Sequence, residues 1–194
     1  FITGGNTDGV AIYSTGWRVA MIAVLPVMGI ATAVISVSGA AYGARAYEKV
    51  SISHLFSVKI GFIFELFIAI LIFIFAPQIA AVFSRAEAAS HLEVGLTQFF
   101  RVMSIYYPSI SLGMLSSALF QGIGKGVNSF IATVLRTLIF TMLFILVFAI
   151  TLDGGLVGIW WGIVVANVLS SILVFAWART HVKKLIKKIV PIVT

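Results

Sequence analysis

Residues 55–75 read LFSVKIGFIFELFIAILIFIF, with only Lys59 and Glu65 charged. A helix of this length extends roughly 31 Å at 1.5 Å per residue, which matches a hydrocarbon core of about 30 Å. A barrel strand would alternate apolar and polar residues, and this stretch does not. Inside lipid every backbone group needs an internal partner, and a helix supplies its own. The segment is therefore predicted to be a membrane-spanning helix.

Working outward, four more stretches have the same character: about 10–39, broken by Arg18; about 95–120, with Arg101 near its start; about 127–152, with Arg136 inside; and about 155–178, with no charge. The predicted fold is all-α, a polytopic helical bundle. Span one is too long for the core and contains Pro26, so it should tilt, kink there or project from the membrane. Composition agrees: 61% of the 194 residues are hydrophobic and 10% charged, against about 45–50% and about 25% in a soluble domain. Mean hydropathy is +1.14. No Cys is present, so disulfides and thiolate chemistry are excluded.

The net charge of +7 suggests nucleic acid until the charges are placed. Alternate connecting segments hold Arg45 and Lys49, then Lys125, then Arg179, Lys183, Lys184, Lys187 and Lys188. Opposite segments hold Arg85 alone among Lys and Arg, with Asp8, Glu87, Glu93 and Asp153. The positive-inside rule puts the basic side, and the tail 179–194, in the cytoplasm of a cell (plasma) membrane protein. The tail sequence KKLIKK suits contact with anionic lipid, and no nucleic-acid partner is expected. Span one then enters from outside. A preceding helix is expected, to which Phe1–Gly5 would belong, and six helices would form one lobe of a two-lobed transporter.

Several motifs, in order, carry a family resemblance. Asp8-Gly-Val-Ala-Ile-Tyr13, Trp17-Arg18, Leu25-Pro26-Val-Met-Gly29 and Gly39-Ala-Ala-Tyr-Gly43-Ala44 come first. Phe75-Ala-Pro77 with Val82-Phe83-Ser84, Phe120-Gln121-Gly122-Ile-Gly124-Lys125, and Gly155-Leu-Val-Gly158-Ile-Trp160 follow. Together they resemble the C-terminal lobe, helices eight to twelve, of multidrug and toxic compound extrusion (MATE) transporters. The resemblance implies a secondary multidrug exporter that exchanges amphipathic or cationic compounds for protons or sodium, with the N-terminal lobe as a partner absent from this chain. It implies no cofactor beyond the coupling ion and no enzyme activity. The sodium-coupled branch places a carboxylate beside a Tyr in helix ten. Here that region reads Ser104-Ile-Tyr106-Tyr107-Pro108-Ser109, without one. The archaeal-like branch fits better, and it places the coupling Asp residues in the missing lobe.

Each candidate residue has a simpler alternative role. Glu65, a costly intramembrane carboxylate, would either exchange a proton or serve in a structural ion pair or hydrogen bond, with the structural role favoured. Arg18 and Arg136 would line a wet cavity or pair with Glu65 or backbone carbonyls. Lys59 and Arg101 would snorkel to the interface. Met103, Tyr106 and Tyr107, with Tyr13 and Trp17, suit an apolar cationic substrate, with packing or interfacial anchoring as the competing roles. The stripe Gly154, Gly158, Gly162, Ala166, Ser170 reads as close helix packing. Gly122-Ile-Gly-Lys-Gly126 lacks phosphate-loop spacing and reads as a turn. His54, His91 and His181, near loops and in the tail, are too scattered for a metal site. Two other functions stand beside export: a related flippase for lipid-linked sugars, which would need a cationic cavity, and a membrane scaffold without transport.

Overall fold

The computed structural model describes residues 7–85, 87–151 and 154–187. Phe1–Gly5, Asp153 and Lys188 lie outside the described residues. Among the described residues eight α-helices run in order: α1 (Thr7–Gly43), α2 (Tyr47–Ile74), α3 (Ala76–Phe83), α4 (Glu93–Ser104), α5 (Tyr107–Gly122), α6 (Gly126–Val134), α7 (Thr141–Leu146) and α8 (Gly155–Lys187). A 3₁₀ turn, Glu87–Leu92, precedes α4. The π-helical segments Leu135–Phe140 and Val147–Thr151 flank α7 and join it to α6 in one long span. No strand occurs among the described residues.

The chain is a multi-pass membrane helical bundle. Four stretches are each long and apolar enough to cross: Asp8–Gly43, Tyr47–Ile74, Gly126–Thr151 and Gly155–Lys187. The fifth is a bent pair, Ser90–Ser104 and Tyr107–Gly122, meeting at 51°. The single span expected over about 95–120 is thus broken into two helices. The cause of the bend is Pro108, which cannot donate to the Ser104 carbonyl and sits in the first turn of α5, where proline is tolerated. Serine hydroxyls then take up carbonyls around the break: Ser104 Oγ donates to Arg101 O, Ser109 Oγ to Tyr106 O and Ser111 Oγ to Pro108 O. Irregular backbone at membrane depth persists where such groups re-satisfy it. Other boundaries also move: α2 begins eight residues before the expected 55, and α8 carries helix nine residues past 178 into the expected tail.

The helix α5 is the hub, packed against α1, α2, α6 and α8. Its crossing with α1 is close because both helices present glycine. A Cβ on Gly39 would stand 3.1 Å from Gly122 O, and one on Gly122 would stand 2.6 Å from Ile35 O. The α5 end is closed by Gly124 at φ 72°, with Lys125 N–H donating to Phe120 O at 2.8 Å. The expected turn is thus observed. The small-residue stripe of α8 packs on the α7 span, where a Cβ on Gly162 would stand 2.8 Å from Phe144 O. Arg179 Nη1 donates to Ser51 O and the His181 ring meets Phe120. These contacts gather the basic residues of the α1–α2 turn, the Lys125 turn and the end of α8 at one end of the bundle.

Candidate functional site

The buried residues of α2 recur as Val50, His54, Val58, Gly61, Glu65, Ala69 and Ile72, a stripe at helical spacing facing α5. Gly61 lets the helices close: a Cβ there would stand 3.1 Å from Ser111 Cβ and 3.0 Å from Leu115 Cδ1. One turn on, Glu65 is 0% exposed, and among the described residues neither carboxyl oxygen has a hydrogen-bond partner. Tyr106 and Tyr107 stand within electrostatic range of it. The two tyrosine rings lie 4.9 Å apart, and the buried Tyr107 hydroxyl also lacks a partner among the described residues. Tyr106 is within range of Tyr13 and Arg136 as well. Tyr13, Glu65, Tyr106, Tyr107 and Arg136 therefore share one neighbourhood, built around the bend between α4 and α5.

The expected pairing of Glu65 with an arginine is absent among the described residues, where the one contact between a carboxylate and a basic side chain within 4.0 Å joins Asp8 and the His91 ring at 3.2 Å. Helix geometry explains this. Glu65 lies one turn along α2 from Gly61, which packs on Ser111 and Leu115 of α5. Arg136 approaches Gly113, with Nη1 3.2 Å from where a Cβ would stand, beside Ser171 of α8. Gly113 is two residues from both Ser111 and Leu115, or about 200° around the helix. The two charges therefore stand off different faces of α5, with Tyr106 in range of both. Arg18 is exposed, two residues from both Gly16 and Ala20, which are on the buried side of α1. The same 200° rotation turns it away from the bundle.

The candidate substrate residues divide into two groups. Tyr13 and Trp17 stack at 5.9 Å with 19° between planes and are 39% and 40% exposed. Phe99 meets Tyr13 edge-on at 6.2 Å and fills the space left by Gly16, where its ring would overlap any Cβ. Met103, Tyr106 and Tyr107 are buried inside the bundle. The first pair is therefore at the surface of this bundle and the second set is enclosed by it.

His54 was placed near a loop by sequence reading, but it lies buried inside α2. Ser116 Oγ donates to Leu112 O at 2.6 Å, so it accepts from His54 Nε2–H at 3.1 Å. Histidine thus carries its proton on Nε2. The four-, three- and four-residue steps 54, 58, 61, 65 were the signal that would have placed it inward. The π-helical turns left no such signal.

The sequence model of the MatE family matches residues 1–147. Among solved structures, the chain is similar to an inward-facing multidrug resistance MATE family transporter of the MOP superfamily: 39% identity over 96% of this chain and 42% of that one, TM-score 0.92. An outward-facing conformation of such a transporter matches at 39% over 96% of this chain and 41% of that one, TM-score 0.91. So does a MOP superfamily transporter from Pyrococcus furiosus Vc1 (DSM3638), described by a binding pocket of reverse polarity that suggests a different function: 39%, 95% and 41%, TM-score 0.91. No curated protein matches the chain. The chain spans about two-fifths of the length of these structures.

Proposed function

The chain belongs to the MatE family, and from that premise we propose that it is the C-terminal lobe of a secondary exporter of amphipathic or cationic compounds, driven by proton or sodium entry. The observation that carries this reading is the near-equal similarity to an inward-facing and an outward-facing transporter. A lobe whose internal packing suits both states moves as a unit, as alternating access between two repeats requires. The exposed Tyr13–Trp17 stack offers the first contact for a cationic ring compound. Tyr106, Tyr107 and Met103 lie behind it. The principal coupling acids belong to the N-terminal lobe. The basic end of the bundle faces the cytoplasm of the plasma membrane.

Efflux from everted vesicles carrying the intact transporter, with proton and sodium gradients collapsed separately, tests the reading. Loss of efflux with one gradient supports coupled export. Drug movement indifferent to both gradients refutes it. Residues 1–194 alone should not transport, since half the alternating machinery is missing. Arg136, half-buried with no carboxylate within 4.0 Å among the described residues, favours a second reading, flipping of an anionic lipid-linked substrate. Under that reading Arg136→Gln would abolish lipid flipping, whereas under the first it would leave cationic drug efflux in place.

A further inference from the structure

The 51° bend between α4 and α5 does more than place the tyrosines. On the far side it opens a groove of ≈ 240 Å³ against α2, walled by Leu66, Ile70, Phe73 and Ile74 with Ile105 and Pro108 from the bend. Its one polar wall residue, Ser104, has its hydroxyl bonded to Arg101 O, so the groove offers nothing to a polar guest. At its mouth the Arg101 guanidinium lies 5.8 Å above the Phe73 ring. Arg101 is exposed, and among the described residues no carboxylate comes within 4.0 Å of it.

The depth of these features is set by helix length. Arg101 precedes Gly122, at the basic end of the bundle, by 21 residues, or roughly 32 Å of helix before the bend shortens the path. That is about the thickness of the hydrocarbon core. Arg101 thus stands at headgroup level in the leaflet opposite the basic end. From there the α2 wall, Ile74 to Leu66, descends about 12 Å into the membrane. A protein helix about 10–12 Å wide does not enter a groove this small, whereas an acyl chain does. An exposed guanidinium at the mouth calls for an anion, and guanidinium matches phosphate oxygens in two-point contacts. We propose that this groove binds a phospholipid with an anionic headgroup, its phosphate on Arg101 and one acyl chain lying along Phe73, Ile70 and Leu66.

The site requires only the membrane-spanning fold, so its test does not depend on export. The intact transporter is placed in bilayers containing phosphatidylglycerol with a photoactivatable diazirine on the acyl chain, and cross-links are mapped by mass spectrometry. A diacylglycerol probe with the same chain serves as the headless comparison. Labelling around Phe130, exposed on another span, reports folding in every sample. Phosphatidylglycerol is expected to label 66–74 and 104–108. Arg101→Gln should lower that labelling by about fivefold, the value of one cation near a membrane surface, and leave diacylglycerol labelling unchanged. Ile105→Trp or Ile70→Trp should fill the groove and suppress both probes there. Equal phosphatidylglycerol labelling in wild type and Arg101→Gln would overturn the proposal. So would an unlabelled groove, including one cross-linked to the other lobe or a second copy.

Discussion

The helix α5 and the span 126–151 have opposite surroundings. The first, at the hub, buries Ser109, Ser111, Ser116 and Ser117 among Tyr107, Ile110, Leu115, Leu119 and Phe120. The second, at the edge, buries only Ser129, Ala132 and Ala149, and exposes Val127, Phe130, Leu138, Ile139, Met142, Leu143, Leu146 and Ile150. In a soluble protein the second surface would be inside out. Here lipid is as apolar as leucine, so burying a large apolar side chain gains little. Interior positions therefore also take small residues that let backbones approach and hydroxyls that satisfy carbonyls, beside Leu115, Leu119 and Phe120. What sets the hub apart from the rim is its buried hydroxyls and small residues, set among apolar side chains.

The largest expected effect falls where the two regions are joined. Gly158 of α8 lies against the edge span, and a Cβ there would run into the Phe148 carbonyl. Backbone cannot move aside as a side chain tip can. Gly158→Leu should therefore destabilise the purified transporter by more than about 3 kcal/mol, the upper end of ordinary overpacking. Thermal unfolding in detergent measures it, and a melting temperature equal to wild type would mean that the edge span is not seated on this stripe.

That stripe was legible in the sequence because its four-residue repeat is a packing signal in its own right. The spans were legible for the same kind of reason: LFSVKIGFIFELFIAILIFIF has only one stable state in lipid. Side-chain pairing was not legible. Glu65 and Arg136 are both intramembrane charges, and opposite charge suggested a pair. Whether they meet depends on which faces of α5 their helices cover, a relation set by packing among three helices. The bend at Tyr106–Pro108 was visible as a proline but was read as substrate surface rather than as a break. The π-helical turns of the edge span follow from nothing in its residue types, and the structure offers no physical account of them.

Glu65 gives the next effect and sharpens the comparison from the hub side. With no arginine or hydrogen-bond partner among the described residues, the ion-pair role expected from sequence loses its basis. Glu65→Leu then removes a desolvation cost and leaves no arginine unpaired, so stability should rise by about 1–3 kcal/mol. A mid-membrane carboxyl kept without structural reward is a functional group by default. Glu65→Gln should accordingly fold and bind drug while exporting less than wild type. Undiminished export by this variant would return Glu65 to a packing role.

A smaller loss is expected at His54. Ser116→Ala removes the oxygen that accepts from Nε2–H and strands a buried donor, at a cost of about 1 kcal/mol or slightly more. Nitrogen chemical shifts of the ring, before and after, would show whether the proton stays on Nε2. A protonated or Nδ1-bound ring in the wild type would contradict the hydrogen-bond assignment.

The smallest effect tests the edge span directly. Leu143 is 54% exposed on α7. Leu→Ala in a close-packed soluble core costs about 2–5 kcal/mol, because a cavity remains and apolar surface is no longer buried. At a lipid-facing site neither penalty applies: fluid acyl chains fill the space, and the surface was already in an apolar solvent. Leu143→Ala should then shift stability by no more than about 0.5 kcal/mol, as for an ordinary surface change. Unfolding of the intact transporter in bilayers gives the number, with Leu115→Ala in α5 as the interior counterpart. Leu115 is 0% exposed and touches the Gly61 crossing, so its loss should follow the cavity rule. If Leu143→Ala costs as much as Leu115→Ala, then protein covers the edge span in the intact transporter. The division between hub and rim would then hold for this lobe alone and not for the whole molecule.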